Sequence, residues 1–153
     1  MVMNVIIAPH PDDEVIGCFQ QLQAGIIDKV IYVENISMIR KQEAIGLCHH
    51  YNIDFTFLDG NVEKLLNLTP ENYYIPSPSD GHYFHCVVFR IMQWQQQYRG
   101  FYVYSTRMND WFIREIPDSK EKLDCLNTFY PSQWDLWKYD HRYFLFEGLV
   151  KVL

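Results

Sequence analysis

The chain has 153 residues and carries 13 lysines and arginines against 19 aspartates and glutamates, which gives a formal net charge of −6. A length of this order predicts one domain, residues 1–153, and an acidic chain without a block of basic residues excludes nucleic acid as an expected partner. No stretch approaches the about 18 apolar residues of a membrane-spanning helix, and four scattered cysteines without a C-x-x-C pair favour reduced thiols, so we expect a cytoplasmic protein.

Blocks of apolar residues alternate with turn-forming residues along the chain. In the first half, the pattern predicts strands at 2–8, 29–33 and 54–58, helices at 14–25 and 38–51, and a short helix near 61–67. In the second half, it predicts an extended segment at 73–75, a loop at 76–81, a helix at 83–97, a strand at 101–105 and a helix at 118–129. The aromatic residues that follow are expected to pack on the sheet. Strands that alternate with helices predict an α/β fold, with a Rossmann-like, doubly wound, mostly parallel sheet flanked by helices.

A histidine and neighbouring carboxylates stand where the first predicted strand gives way to a helix. The apolar run that ends at Ala8 is followed closely by the sequence His10-Pro11-Asp12-Asp13-Glu14. In open α/β sheets, ligands bind outside the carboxyl ends of the strands, and the N-terminus of a helix favours carboxylates. Pro11 biases His10 toward extended geometry and suits the turn that follows. Position and residue types together predict a metal-dependent hydrolase.

A third metal ligand is expected from the second half of the chain. A catalytic zinc typically takes three protein ligands and leaves one position open for water. His10 and Asp13 would supply two, and the segment His82-Tyr83-Phe84-His85 is the best source of another because it follows a Pro/Ser/Gly loop and opens a helix. The separation along the chain closes if the two preceding strands are neighbours in a parallel sheet. On spacing alone, two ordinary packed or surface histidines remain an alternative.

One string of residues resembles the signature of a known family. The sequence Ala8-Pro9-His10-Pro11-Asp12-Asp13-Glu14-Val15-Ile16-Gly17-Cys18 resembles that of the PIG-L or LmbE-like zinc-dependent N-acetylglucosamine deacetylases. In the same order, residues 40–44 resemble the family's R-x-x-E segment, 78–85 its P-x-D-x-H-x-D-H stretch, and 122–133 its late K-x-x-A-L…Y-x-S-Q segment. The resemblance covers nearly the whole chain and implies a single deacetylase domain with an LmbE-like fold.

The resemblance also implies a mechanism. One zinc ion per chain would be held by His10, Asp13 and His85, with Asp12 as general base and His82 as electrophilic partner. Zinc lowers the pKa of its bound water toward about 7 and polarises an amide carbonyl, and a carboxylate within reach takes the proton of that water. The implied reaction removes the acetyl group from an N-acetyl amino sugar, or a conjugate of one, and releases acetate and an amine.

Three departures from the family pattern motivate an alternative. Phe19 and Gln20 replace glycines expected near the pocket wall, the segment from Glu34 to Ile39 is short, and Phe84 stands where an aspartate would orient a ligating imidazole. These features are also compatible with a non-catalytic relative that binds a sugar or a partner. A metal-dependent phosphoesterase is a further alternative, but it needs more carboxylates than the sequence supplies.

Several other residues have competing interpretations. Arg40 is implied as a substrate-binding residue, although an ion pair with Glu43 on the same helix face is an alternative. His49, His50 and His141 are expected to lie outside the site. Asp110, just beyond a predicted strand, is a candidate for lining the cleft. The expected partner is a small amino-sugar substrate, and 25 aromatic residues (11 Tyr, 10 Phe and 4 Trp) are compatible with a homo-oligomer.

Overall fold

The computed structural model of the chain describes residues 1–95 and 99–152. Within these residues, seven strands form one sheet: β1 (Asn4–Ala8), β2 (Lys29–Tyr32), β3 (Asp54–Phe57), β4 (Asn72–Pro76), β5 (Gly100–Tyr104), β6 (Ile113–Glu115) and β7 (Phe146–Lys151). The α-helices of the same residues are α1 (Asp13–Gln23), α2 (Met38–Tyr51), α3 (Tyr83–Trp94), α4 (Ser119–Phe129), α5 (Asp135–Tyr139) and α6 (Arg142–Leu145). Three 3-10 segments lie at Val62–Asn67, Pro78–Asp80 and Pro131–Gln133.

The sheet has the strand order β3-β2-β1-β4-β5-β7-β6. Strands β1 to β5 are parallel, and β7 runs antiparallel to both β5 and β6. The predicted α/β fold with a mostly parallel sheet flanked by helices is therefore confirmed. Because β1 lies between β2 and β4, the strand order reverses beside β1, and in sheets of this kind ligands bind at that reversal.

Helices cover both faces of the sheet. On one face, Ile6, Ala8 and Val30 pack with buried residues of α1, α2 and α4. On the other face, Val5 and Ile7 pack with buried residues of α3. A strand buried on both sides has no polar face, which is why β1 is a continuous apolar run. None of the helices in the described residues is long and apolar enough to cross a membrane.

The aromatic residues after α4 pack against the core as predicted, with Trp137 buried in it and Tyr143, Phe144 and Phe146 packed against it. The sequence did not predict β7, in which residues 146–151 enter the sheet between β5 and β6, with Val150 opposite Val103. Aromatic density in residues 134–146 obscured the short extended run that follows it. The predicted helix at 83–97 ends at Trp94, and its residues 96 and 97 lie outside the described residues.

Helix α1 approaches the sheet closely at Gly17. A Cβ atom at this position would overlap the ring of Tyr104, whose hydroxyl donates to the carbonyl of Ile7 at 2.7 Å. Phe19, which stands where the resembled family has a glycine, is fully buried in the core and does not line the cavity beside His10 and Asp13. The prediction that Phe19 alters the wall of the pocket is therefore wrong, because its side chain is buried in the core.

Helix α1 is kinked at Cys18, which has a non-helical φ of −135°. At the kink, Lys122 Nζ donates to the carbonyl of Ile16 at 2.6 Å, and the backbone N–H of Gln20 donates to Glu147 Oε1 at 3.1 Å. In an uninterrupted helix, that N–H and that carbonyl would pair with each other. Two buried side chains, Lys122 and Glu147, thus pair with the backbone groups left unpaired beside the kink.

Candidate metal centre

The two predicted ligand segments meet at the carboxyl ends of β1 and β4. These strands pair directly, with Val5 opposite Tyr73 and Ile6 opposite Tyr74. After β1, the chain turns at His10, whose carbonyl accepts from the backbone N–H of Asp13 at 3.2 Å, and α1 begins. After β4, a loop leads to α3. The expectation that neighbouring parallel strands bring the two segments together is confirmed.

Three side-chain atoms form a nearly equilateral triangle at this position. Asp13 Oδ2 lies 3.1 Å from His10 Nδ1 and 3.1 Å from His85 Nε2, and the two histidine nitrogens are 3.2 Å apart. Ligands of a tetrahedral zinc ion, at about 2.0–2.2 Å from the metal, are roughly 3.3–3.6 Å from one another. The three atoms therefore have the spacing that one small cation requires, and a triangle of ligands leaves one side open.

Neighbouring charges outweigh burial in setting the pKa values of His85 and Asp13. Burial opposes ionisation of His85, but the carboxylates of Asp13 and Asp80 outweigh it and raise the pKa of His85 to about 10. Burial likewise opposes ionisation of Asp13, but the adjacent His85 and His10 hold the pKa of this carboxyl well below its usual range. The protein thus keeps a buried carboxylate that needs a positive partner, and either a protonated imidazole or a metal ion can fill that role.

Each imidazole of the triangle has a carboxylate on its other ring nitrogen. Asp80 Oδ2 lies 2.6 Å from His85 Nδ1, and Glu34 Oε2 lies 2.6 Å from His10 Nε2. Thr106 Oγ1 donates to Asp80 Oδ2 at 2.8 Å and so orients that carboxylate in turn. Carboxylates of this kind fix the ring orientation and raise the basicity of metal-binding histidines. Position 84 lacks an orienting carboxylate, as predicted, but Asp80 and Glu34 supply one to each of the two histidines.

Replacement of Asp80 by asparagine is expected to weaken zinc binding by about 10–100-fold, because His85 loses the carboxylate that orients it. Competition with a chelating dye measures this change. Asp110→Asn is the matched control, because Asp110 accepts from Ser77 and Ser105 and has no contact with His85. Equal zinc affinity in the two variants would contradict an orienting role for Asp80.

Asp12 has a carboxylate oxygen without a hydrogen-bond partner. The side chain is 3% exposed, and within the described residues Oδ2 accepts no hydrogen bond, although Arg40 Nη2 lies 4.0 Å away. Burial and the charge of Asp13 raise the pKa of Asp12 well above its usual value, against the opposing effect of Arg40. A buried carboxylate with a free oxygen and a raised pKa is suited to accept a proton.

A second set of three residues also has metal-ligating atoms close together. One such atom from each of His10, His82 and His85 lies within 4.8 Å of the others. The triangle that includes Asp13 is tighter, and it combines two imidazoles with the charge of a carboxylate, so we favour it. Burial and the neighbouring His10 and His85 lower the pKa of His82, which favours its neutral form. His82 thus stands beside the triangle as a neutral imidazole.

The centre opens into a cavity of about 210 Å³. Arg40 lines it, but Glu43 accepts from the backbone and hydroxyl of Ser132 at 2.8 and 2.6 Å instead of pairing with Arg40. Seven further lining residues were not predicted as site residues from the sequence: Ile16, Asp80, Thr106, Arg107, Gln133, Leu136 and Tyr143. Of these, Gln133 could have been predicted from the sequence, because it ends the Y-x-S-Q segment. Asp110, His49, His50 and His141 are not among the lining residues.

Fold and side-chain arrangement thus define an α/β protein with a candidate metal centre at the reversal in its sheet. No family model matches the chain, and no curated protein matches it. Among solved structures, the chain is similar to the conserved protein TT1542 from Thermus thermophilus, with a TM-score of 0.66 and 16% identity over 100% of this chain and 96% of that chain. At this identity, the similarity supports the mixed α/β fold alone.

Proposed function

We propose that this protein is a zinc-dependent N-deacetylase of the PIG-L or LmbE-like type, with a Rossmann-like fold. The observation that carries the proposal is the triangle of His10 Nδ1, Asp13 Oδ2 and His85 Nε2 beside the unpaired carboxylate oxygen of Asp12. The substrate is an N-acetyl amino sugar or a conjugate of one, and the products are acetate and a free amine.

The donor set fits zinc. Two imidazole nitrogens and one carboxylate oxygen are ligands that zinc prefers in catalytic sites, and the carboxylates of Asp80 and Glu34 complete the arrangement around the histidines. When bound, zinc supplies a Lewis acid that polarises the amide carbonyl and lowers the pKa of water.

Two side chains near the metal site, Asp12 and His82, have separate roles in the proposed reaction. Asp12 Oδ2 takes a proton from the attacking water, and the same oxygen delivers it to the nitrogen of the departing amine. His82 donates a hydrogen bond to the amide oxygen as negative charge develops there, which is the role of an oxyanion hole.

The size of the cavity restricts the substrate. Pockets for drug-sized ligands have volumes of about 300–1,000 Å³, whereas this cavity is about 210 Å³. The space suits an acylamino group on a single sugar ring, with the rest of the substrate outside. Arg40 and Gln133, which both line the cavity, supply donors for the ring hydroxyls.

Acetate release from a panel of N-acetyl amino sugars and their glycosides tests the proposed function. The zinc-loaded full chain is expected to release equal amounts of acetate and amine, to lose this activity after chelation, and to regain it when zinc is restored. A chain that binds zinc but releases no acetate from any member of the panel would contradict the proposal and favour the non-catalytic sugar-binding alternative.

A further inference from the structure

The peptide unit between Pro11 and Asp12 is held at both its polar groups. Asp12 has a φ of 105°, in the left-handed region that residues other than glycine rarely adopt. The carbonyl of Pro11 accepts from Arg40 Nη2 at 2.8 Å, and the backbone N–H of Asp12 donates to Glu14 Oε2 at 3.1 Å. Such a conformation persists only where the surroundings fix it, and these two contacts do so.

Glu14 is itself fixed by two buried tyrosines. Its carboxylate is fully buried, and Oε1 accepts from the hydroxyls of Tyr32 (3.1 Å) and Tyr130. Tyr32 belongs to β2 and Tyr130 follows α4, so the carboxylate is tied to two separate elements of the core. Each carboxylate oxygen therefore has a partner, and the side chain has no freedom to rotate away from Asp12.

Glu14 does not reach the substrate. Asp12 and Asp13 line the cavity, and Glu14 is absent from its lining. A buried carboxylate in the middle of a site motif, without access to the cavity, can influence chemistry only through the residues that it holds. Its only contact toward the cavity among the described hydrogen bonds is the backbone N–H of Asp12.

We propose that Glu14 is a positioning residue for the base. Tyr32 and Tyr130 lock the carboxylate of Glu14, and this carboxylate, together with Arg40, keeps Asp12 in its left-handed conformation as a lining residue of the cavity. The expected effect of Glu14 on kcat rests on the proposed function, whereas its expected effect on the conformation of Asp12 does not. Arg40 thereby acquires a second role, since the guanidinium that faces the cavity also holds the backbone of the base.

Crystal structures of Glu14→Ala and Glu14→Gln test the conformational claim without any activity. In Glu14→Ala, Asp12 is expected to leave the left-handed region and its carboxylate to turn out of the cavity. Glutamine retains an acceptor for the Asp12 N–H, so Glu14→Gln is expected to keep the wild-type conformation. A positive φ at Asp12 with an unmoved carboxylate in Glu14→Ala would overturn the proposal, whether or not the protein is a deacetylase.

Kinetic measurements on the zinc-loaded chain test whether Glu14 acts on catalysis by way of Asp12. Glu14→Ala is expected to lower kcat by about 10–100-fold, as a displacement of about 1 Å does, with unchanged KM and zinc content. In an Asp12→Asn background the same change should lower kcat less than about twofold, because residues that act through one another are not additive. Equal losses in both backgrounds would overturn the positioning role.

Two further variants separate positioning from stability. Glu147→Ala removes another buried carboxylate that accepts a backbone N–H of α1, yet Glu147 does not line the cavity at the candidate metal centre. We expect a lower melting temperature and an unchanged kcat per folded molecule. If Glu14→Ala does not fold, Tyr130→Phe removes one donor to Glu14 and should lower kcat with unchanged KM; an unchanged kcat would count against the proposal.

Discussion

Replacement of His85 by alanine is expected to abolish both zinc binding and deacetylation. His85 is 3% exposed, and its Nε2 is one corner of the triangle with His10 and Asp13. Alanine leaves only two of the three proposed protein ligands and removes the imidazole that pairs with the carboxylates of both Asp13 and Asp80. Zinc content after dialysis, measured by mass spectrometry, should fall from about one per chain by at least about tenfold, because catalytic sites typically need three protein ligands.

His49→Ala is the matched control for this experiment. His49 is an exposed histidine in the last turn of α2 and does not line the cavity. Its replacement should leave zinc content and activity unchanged. Full activity and full zinc content in His85→Ala would contradict the proposed metal centre.

His82→Ala distinguishes the two sets of possible ligands. If His10, Asp13 and His85 bind the metal, His82→Ala keeps its zinc and loses catalytic rate, because the amide oxygen loses a hydrogen-bond donor. If His10, His82 and His85 bind it, His82→Ala loses zinc whereas Asp13→Asn keeps it.

Replacement of Asp12 by asparagine is expected to lower kcat by about 10²–10⁴-fold, the contribution of a positioned general base. Asparagine has nearly the same shape and tolerates the left-handed conformation at φ 105°. It cannot take up the proton of the attacking water. Zinc content should stay at the wild-type level, since Asp12 is not one of the three atoms of the triangle.

Asp59→Asn makes the same chemical change at another aspartate with a positive φ. Asp59 is exposed, has a φ of 51°, and pairs with Lys41 outside the cavity. Its variant should retain the wild-type kcat. A wild-type kcat in Asp12→Asn would show that another group accepts the proton.

The alternation of apolar runs and helical spacing was sufficient to predict the parallel part of the sheet. It also located His10, Asp13 and His85 at strand ends, because the carboxyl ends of neighbouring parallel strands meet at one edge. The pairing of β1 with β4 was a condition of that prediction, and the structure meets it. Strand β7 was missed because the aromatic density of residues 134–146 obscured the short extended run that follows it.

The residues that orient the site could not be predicted from the sequence. Asp80 and Glu34 belong to loops after different strands, and their contacts with His85 and His10 depend on how those loops fold back over the edge of the sheet. The contacts that hold Asp12 through Glu14 are still less local, since Tyr130 lies 116 residues from Glu14 along the chain. The sequence motif marks Glu14 as part of the site, but only the packing of β2 and α4 explains its role.

Anomalous diffraction at the zinc edge, from crystals of the zinc-loaded chain, tests the central claim most directly. We predict a single peak per chain, bonded to His10 Nδ1, Asp13 Oδ2 and His85 Nε2, with an open position toward Asp12. A peak bonded to His82 in place of Asp13, or no peak between these side chains, would contradict it.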